Sequence, residues 1–225
     1  MKKLFFTLTI ISFCFFSAPA VYSYTGCEQI RPHPKINFYT SYGKLEYDFS
    51  QNQMGITQIG MKHGAVEKGV FANGLATGTV KWEINVSSLS QKGYGKQFCA
   101  TPIEIDFYLG FSNPTIYVSN NLRKGSCMYD LVLRHEQTHQ QINIKTLEYF
   151  IPLFRQALQK ISKEIPAEPI YGNSQAALHQ GSTIIAQKYS ERIKPLIDVF
   201  KKELQIEQGK LDNSSNYAFE NSICR

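Results

Sequence analysis

The chain has 225 residues, of which 24 are Lys or Arg and 18 are Asp or Glu, so its formal net charge is +6. This mild positive charge, without a dense cluster of lysines and arginines, argues against a nucleic-acid-binding protein. Residues 1–20 are treated below as a signal peptide. The remaining residues, about 205, are enough for one domain with a substantial core.

Residues 1–20, MKKLFFTLTIISFCFFSAPA, have the layout of a secretory signal peptide. A lysine pair precedes an apolar run, and the final APA supplies the small residues of a cleavage site. Cleavage after Ser23 is an alternative. We therefore predict a periplasmic or secreted protein with no transmembrane segment in the mature chain. Lipid attachment at Cys27 is disfavoured, because about ten residues separate it from the apolar run.

Four cysteines follow the predicted leader: Cys27, Cys99, Cys127 and Cys224. In an oxidising compartment they would form two disulfides, with three possible pairings. We favour Cys27–Cys99 together with Cys127–Cys224, and the sequence alone leaves the other pairings open.

Residues 24–120 are predicted as the β-rich part of the chain. Four segments alternate with the two-residue period of half-buried strands: 44–49, 79–86, 103–109 and 115–119. The glycine-rich interval 55–78 is predicted as irregular hairpins and loops. Together these segments predict a small antiparallel sheet.

Residues 126–211 are predicted as a helical hairpin. Ser126 is a suitable N-cap for a first long helix that is kinked at Pro152 and ends near Ile165.

A turn with two prolines over 164–173 leads into a second long helix over 174–211, and residues 212–225 form a tail. A small N-terminal sheet followed by a long helical hairpin, within one domain over 24–225, is an α+β fold.

The first predicted helix contains HEQTH at 135–139. Residues four apart lie about 40° apart around a helix, so His135 and His139 share one face. Apolar residues flank them on that face: Met128, Leu131, Val132, Ile142 and Phe150. Buried histidines need a partner, and a zinc ion suits a pair of neutral imidazoles.

Glu136 lies at the edge of this face, where its carboxylate could reach a metal-bound water without binding the metal. Zinc lowers the pKa of a bound water and polarises a carbonyl, while a neighbouring glutamate accepts the proton of the water. H-E-x-x-H on a helix is the zincin metalloprotease signature. We therefore predict a zinc-dependent peptidase or amide hydrolase acting on proteins or peptides. The alternatives are hydrogen-bonded core histidines, a non-catalytic zinc-binding envelope module and a metal-free interaction module.

The motif does not supply the third zinc ligand. The zincin pattern with a third histidine on the same helix is excluded, because Ile142 and Lys145 replace its glycine and its last histidine. Later residues could supply the ligand instead: His179, Glu191, Asp198 and Asp212.

A Cys127–Cys224 disulfide would return the tail to the start of the first helix and bring Asp212 and Tyr217 near the histidines. Asp212 could instead cap the helix end or bind loop amides. Tyr217 could simply pack, although a phenol near zinc can also stabilise an oxyanion.

The segment GSCMYDLVLRHEQTHQQI (125–142) resembles a bacterial family of predicted secreted zinc-dependent proteases. Members have an apolar strand like TIYVS, a cysteine about eight residues before H-E-x-x-H, and a distal Asp and Tyr before a terminal Cys. The resemblance covers roughly residues 97–225 and implies a periplasmic or secreted zincin-like fold with a helical hairpin. The implied site comprises the zinc ligands His135, His139 and Asp212, the general base Glu136, and Tyr217 as oxyanion donor.

Overall fold

The computed structural model describes residues 26–224, so the predicted signal peptide lies outside the described residues. These residues form a five-stranded mixed sheet and four α-helices. A 3₁₀ turn, Gly26–Gln29, precedes the following elements in chain order: β1 (Lys35–Ser41), β2 (Glu46–Asp48), α1 (Gln53–His63), β3 (Gly74–Lys92), β4 (Gln97–Val118), α2 (Cys127–Glu164), β5 (Glu168–Tyr171), α3 (Ser174–Leu211) and α4 (Ser214–Ile223).

Strand β4 is the centre of the sheet. Strand β3 pairs with it in the antiparallel sense along almost its whole length, and the short strand β5 is also antiparallel to it. Strands β1 and β2 are parallel to β4, so the prediction of an antiparallel sheet is wrong for these two strands. A two-residue period identifies the buried face of a strand but not the direction of its partner, which the long connection through α1 and β3 determines here.

The predicted segments 103–109 and 115–119 belong to one strand, β4, rather than to two. The interval between the two segments contains Pro114 and forms a bulge in the ladder: the register with β3 shifts between Thr77 and Thr79, opposite this proline. Proline is tolerated at a bulge because no ladder donor is required there.

The interval 55–78 was predicted as loops but contains most of α1 and the start of β3. The side chain of Asn52 caps α1 by accepting a hydrogen bond from the backbone of Gly55. Gly60 lies in this helix because any Cβ there would overlap the side chain of Val66. Gly60 therefore serves close packing, while Gly64, with a φ of 70°, ends the helix as its C-cap.

Helix α2 continues through Pro152, which lies on its exposed side, where a carbonyl without its helical partner can be hydrated. Helix α3 has the predicted bounds. The two helices contact each other where Phe200 packs against Phe150 and Phe154. The link between them is not the predicted turn, because it contains β5, so a simple helical hairpin is not confirmed.

The core lies between one face of the sheet and the two long helices. Alternate residues of β4 point into it: Ile105, Phe107, Leu109 and Phe111. Aromatic and aliphatic residues of α2 and α3 cover them, including Phe154, Leu158, Ile185, Tyr189 and Phe200, each fully buried. The tertiary packing places the N-terminal half of α2 beside the C-terminal end of α3.

Two disulfides join distant parts of the chain: Cys27–Cys99 and Cys127–Cys224. The favoured pairing is therefore confirmed, and two disulfides indicate an oxidising, extracytoplasmic environment. Within residues 26–224, none of the helices combines the length and apolar character that a bilayer-spanning helix requires.

We expect Gly181→Ala to destabilise the fold, because the added methyl would overlap the Cβ of Ala100 where α3 meets the sheet. Overpacking of this kind costs roughly 1–3 kcal/mol of unfolding free energy. Gly209→Ala is the matched control on the same helix, where an added Cβ meets no atom within 4 Å. It should stabilise the protein by about 0.5–1 kcal/mol. Urea unfolding followed by circular dichroism measures both; equal effects of the two substitutions would contradict the packing described here.

Candidate metal centre

Helix α2 presents the H-E-x-x-H residues on its buried side. The helix begins after Ser126, whose side chain accepts a hydrogen bond from the backbone of Tyr129. His135, Glu136 and His139 are each less than a tenth exposed. The burial expected for the two histidines is therefore present, and Glu136, predicted at the edge of the apolar face, is buried as well.

Three potential ligand atoms converge on one point beside α2. The Nε2 atoms of His135 and His139 lie 3.1 Å apart, and each lies 3.1 Å from Oδ1 of Asp212. Asp212 is the residue at which α3 ends. His135, His139 and Asp212 could together hold a metal ion.

The spacing of these atoms fits a tetrahedral ion. Ligand bonds of about 2.0–2.1 Å in a regular tetrahedron place ligand atoms about 3.3 Å apart. The three observed separations of 3.1 Å are slightly shorter. His135, His139 and Asp212 would hold such an ion, which could take a further ligand besides these three.

Two further side chains determine which ring nitrogens face this point. Nδ1 of His135 lies 3.1 and 3.2 Å from the carboxylate oxygens of Glu220, and Nδ1 of His139 contacts Oε1 of Gln208. These oxygens only accept hydrogen bonds, so each neutral ring carries its proton on Nδ1. In the neutral rings, both Nε2 atoms consequently direct lone pairs towards Asp212.

Gln208 is itself held in one orientation. Its amide nitrogen donates to the backbone carbonyl of His139, at 3.1 Å, and to Oδ1 of Asn143, at 2.7 Å. Its oxygen must therefore face the His139 ring. Outer partners of this kind orient metal-binding histidines in other proteins.

The convergence of these groups favours a cation. Burial lowers the pKa of His135, but hydrogen bonds to Asp212 and Glu220 outweigh it and raise that pKa to about 9. The pKa of His139 is raised in the same way: hydrogen bonds to Asp212 and Gln208 outweigh burial. Burial alone would raise the pKa of Asp212, yet hydrogen bonds from both histidines and Tyr217 hold it well below its usual range. A metal ion bound here therefore displaces protons.

Glu136 is adjacent to this group but does not converge with it. Burial raises the pKa of its carboxyl to about 7, against the opposing effect of the two histidines. The start of β3 confines the side chain: a Cβ on Gly74 would lie 2.5 Å from Oε1 of Glu136 and 2.6 Å from Cγ1 of Val132. The backbone of Ala76 also hydrogen-bonds to the carboxylate. The glutamate is thus fixed between α2 and the sheet.

Tyr217, on α4, completes the group. Its hydroxyl donates to Oδ1 of Asp212 at 2.6 Å, and its ring stacks on that of His135 with centroids 5.2 Å apart. The side chain is 44% exposed, so it lies between the buried histidines and solvent. Burial of the hydroxyl and the Asp212 charge both raise the pKa of Tyr217, which keeps the phenol protonated.

The other candidate ligands do not join the site. Within residues 26–224, His135, His139 and Asp212 are the one group of three or more such side chains whose ligand atoms come together. The alternatives have partners on α3 instead: His179 contacts Gln175, Glu191 accepts from Gln187, and Asp198 pairs with Lys194.

Gln208 and Glu220 were not identified from the sequence. A spacing signal for both exists once Asp212 and Tyr217 are considered, because Gln208 precedes Asp212 by four residues and Glu220 follows Tyr217 by three. Such pairs share one face of a helix, so each partner projects towards the same histidines.

We expect zinc to raise the melting temperature of the metal-free protein. At roughly 100 times its dissociation constant, a ligand stabilises the folded state by about 2.7 kcal/mol, which corresponds to about 5–10 °C for a chain of this size. His139→Ala should abolish the shift. His179→Ala, an exposed histidine on α3, is the control and should retain it. An equal shift in wild type and His139→Ala, measured by calorimetry, would place the metal elsewhere.

Comparisons with known proteins do not assign a function. No family model, curated protein or solved structure matches this chain. The resemblance of residues 125–142 to secreted zinc-dependent proteases therefore stays a prediction from the sequence, and function must be argued from the site itself.

Proposed function

We propose that this protein is an exported zinc-dependent metallopeptidase or amide hydrolase, of the zincin type that residues 125–142 resemble. The observation that carries the proposal is the convergence of His135, His139 and Asp212, with the buried carboxyl of Glu136 beside them. Three protein ligands and a neighbouring carboxylate are the arrangement of catalytic zinc sites, which keep one position for water or substrate.

Zinc is the metal that suits the donor set. Two imidazole nitrogens and one carboxylate oxygen at tetrahedral spacing match its preferences, whereas calcium and magnesium take six or more oxygen ligands. When bound, zinc supplies an acidified water and polarises the carbonyl of the substrate.

Glu136 is the proposed general base. Its pKa of about 7 places it near neutral pH, where a base both accepts and returns protons efficiently. Gly74 and Ala76 hold the carboxylate in place, so it can accept the proton of the attacking water and pass it to the leaving amine. This role requires no metal bond from the glutamate.

Tyr217 is the proposed oxyanion donor. Its phenol stays protonated and lies on the solvent side of the histidines, where a substrate carbonyl would approach. A donor aimed at the developing negative charge stabilises the transition state more than the ground state. Asp212, to which the hydroxyl donates in this structure, would then serve as its resting acceptor.

The number of protein ligands favours a catalytic site over a structural one. Structural zinc sites are closed by four protein ligands. In the described part of the chain only three ligand atoms converge, and His179 and Glu191 lie elsewhere on α3. The two disulfides and the predicted signal peptide support action outside the cytoplasm, on protein or peptide substrates.

We expect Glu136→Gln to lower hydrolysis of an unfolded protein substrate by about 10²–10⁴-fold, because the general base is lost. Zinc should remain bound at one ion per chain, since the ligands are unchanged. Glu148→Gln is the matched control, an exposed glutamate on the same helix, and should leave the rate unaltered. Release of fluorescent fragments gives the rate and atomic absorption the zinc content; full activity in Glu136→Gln would end the proposal.

We expect Tyr217→Phe to lower kcat by about 10²-fold with little change in zinc affinity, because an oxyanion donor acts on the transition state. The phenylalanine keeps the ring that stacks on His135. Tyr149→Phe, a highly exposed tyrosine on α2, is the control. A parallel loss of zinc affinity would instead show that the hydroxyl serves to orient Asp212.

A further inference from the structure

Helix α4 contributes to the metal centre although little holds it in place. It has ten residues, none of them buried. Isolated helices shorter than about 12–15 residues are marginally stable in water. The position of α4 must therefore depend on its attachments at both ends and on its contacts with the site.

Helix α4 contacts the site at His135 and Asp212. Glu220 receives Nδ1–H of His135, and the Tyr217 ring stacks on the same imidazole. The Tyr217 hydroxyl donates to Asp212. Asn216 donates to Glu220 at 3.3 Å and to the backbone of Leu211 at 3.1 Å, which orients the carboxylate within α4.

Both ends of α4 are attached to helices that form the site. At its start, Asn213 caps the helix directly after Asp212, at the end of α3. At its other end, Cys224 is bonded to Cys127, the first residue of α2. Cys127 lies eight residues before His135 on that helix, so the disulfide fixes α4 to the element that presents the histidines.

We propose that the Cys127–Cys224 disulfide is a redox-sensitive attachment that keeps α4 at the metal centre, and that Glu220 is the positioning residue through which it acts. The inference rests on the metal site of the proposed function but not on catalysis by it. With the disulfide closed, Glu220 keeps the proton of His135 on Nδ1 and directs Nε2 towards Asp212. With it open, one attachment of α4 remains, the carboxylate leaves His135, and metal affinity falls.

The two disulfides differ in accessibility. Cys27 and Cys99 are 0% and 1% exposed, whereas Cys127 is exposed and Cys224 partly so. Thiol–disulfide exchange requires access to a sulfur atom. A mild reductant therefore opens Cys127–Cys224 first. The N-terminal position of Cys127 on α2 also stabilises its thiolate, which makes it a good leaving group.

The reaction is a two-electron exchange with a dithiol. One thiolate of the reductant attacks the Cys224 sulfur, the Cys224–Cys127 bond breaks, and Cys127 leaves as a thiolate. The second thiol of the reductant then closes its own disulfide and releases Cys224. The protein gains two electrons and two protons, and the dithiol loses them.

The test compares four proteins: wild type, Cys127→Ser/Cys224→Ser, Glu220→Ala, and the combination of all three substitutions. Serine replaces cysteine so that free thiolates do not bind the metal. Zinc affinity is measured by competition with a chromophoric chelator, well below the melting temperature of each protein. Glu191→Ala, which removes an exposed acid from α3, is the control for charge.

We expect the double serine variant and Glu220→Ala each to bind zinc about 10–100-fold more weakly than wild type, which is the usual cost of losing an outer partner of a histidine ligand. In the double serine background, Glu220→Ala should lower the zinc affinity little further, because α4 has already moved away from His135. Glu220→Gln, whose amide oxygen still accepts from Nδ1–H, should recover most of the affinity. Selective reduction and alkylation of wild type should reproduce the double serine variant, with Cys27–Cys99 intact.

A metal-free readout separates this proposal from the proposed function. Nitrogen NMR of the His135 imidazole, recorded at a pH high enough for the ring to be neutral, should show the Nδ1–H tautomer in the oxidised protein and an increased Nε2–H population once the disulfide or Glu220 is removed. The proposal would be overturned if the tautomers and the zinc affinity were unchanged in the double serine variant. It would also be overturned if Glu220→Ala lowered the zinc affinity as much in that background as in wild type. Failure of oxidised wild type to bind zinc would overturn the proposed function. The His135 tautomers would still test whether the disulfide keeps Glu220 in contact with the ring.

Discussion

Three electron-rich atoms meet at one point in this fold, and the rest of the site is arranged around that contact. The Nε2 atoms of His135 and His139 and Oδ1 of Asp212 are all 3.1 Å apart. Because Glu220 and Gln208 engage the Nδ1 protons, neutral rings have no hydrogen left to place between these atoms. Only a cation, either a proton or a metal ion, relieves the repulsion of three lone pairs held so close.

The fold holds the atoms together by using separate elements for each side of the contact. Helix α2 presents both histidines on one face, and the end of α3 supplies Gln208 and Asp212 one turn apart. Packing of Phe200 against α2 fixes the two long helices relative to each other. The start of β3 confines Glu136 from the side of the sheet. Since no single segment contains the site, the ligand geometry is a property of the packed core.

The local part of this arrangement could be predicted from the sequence, and the long-range part could not. Four-residue spacing places His135 and His139 on one helical face whatever the rest of the chain does. The predicted bounds of α3, 174–211, are those of the structure, in which the Asn173 side chain caps its first turn. The parallel pairing of β1 and β2 depends on how the chain crosses the sheet, which a strand pattern does not encode. Gln208 belongs to the site only because α3 packs against α2.

The balance of charge explains why a divalent ion suits the site better than protons do. Asp212 and Glu220 contribute two negative charges, one directly and one through the His135 ring. A divalent cation neutralises both while the imidazoles stay neutral and keep their Nδ1 hydrogen bonds. Protons can do so only by charging the two histidines, which are buried and lie 3.1 Å apart at Nε2, so like charges would then face each other. The Glu136 carboxyl, whose pKa burial raises to about 7, interacts with the charges of both histidines but is not one of the three converging ligands. The folding that brings these acids to the two histidines therefore creates a site that could hold a doubly charged ion.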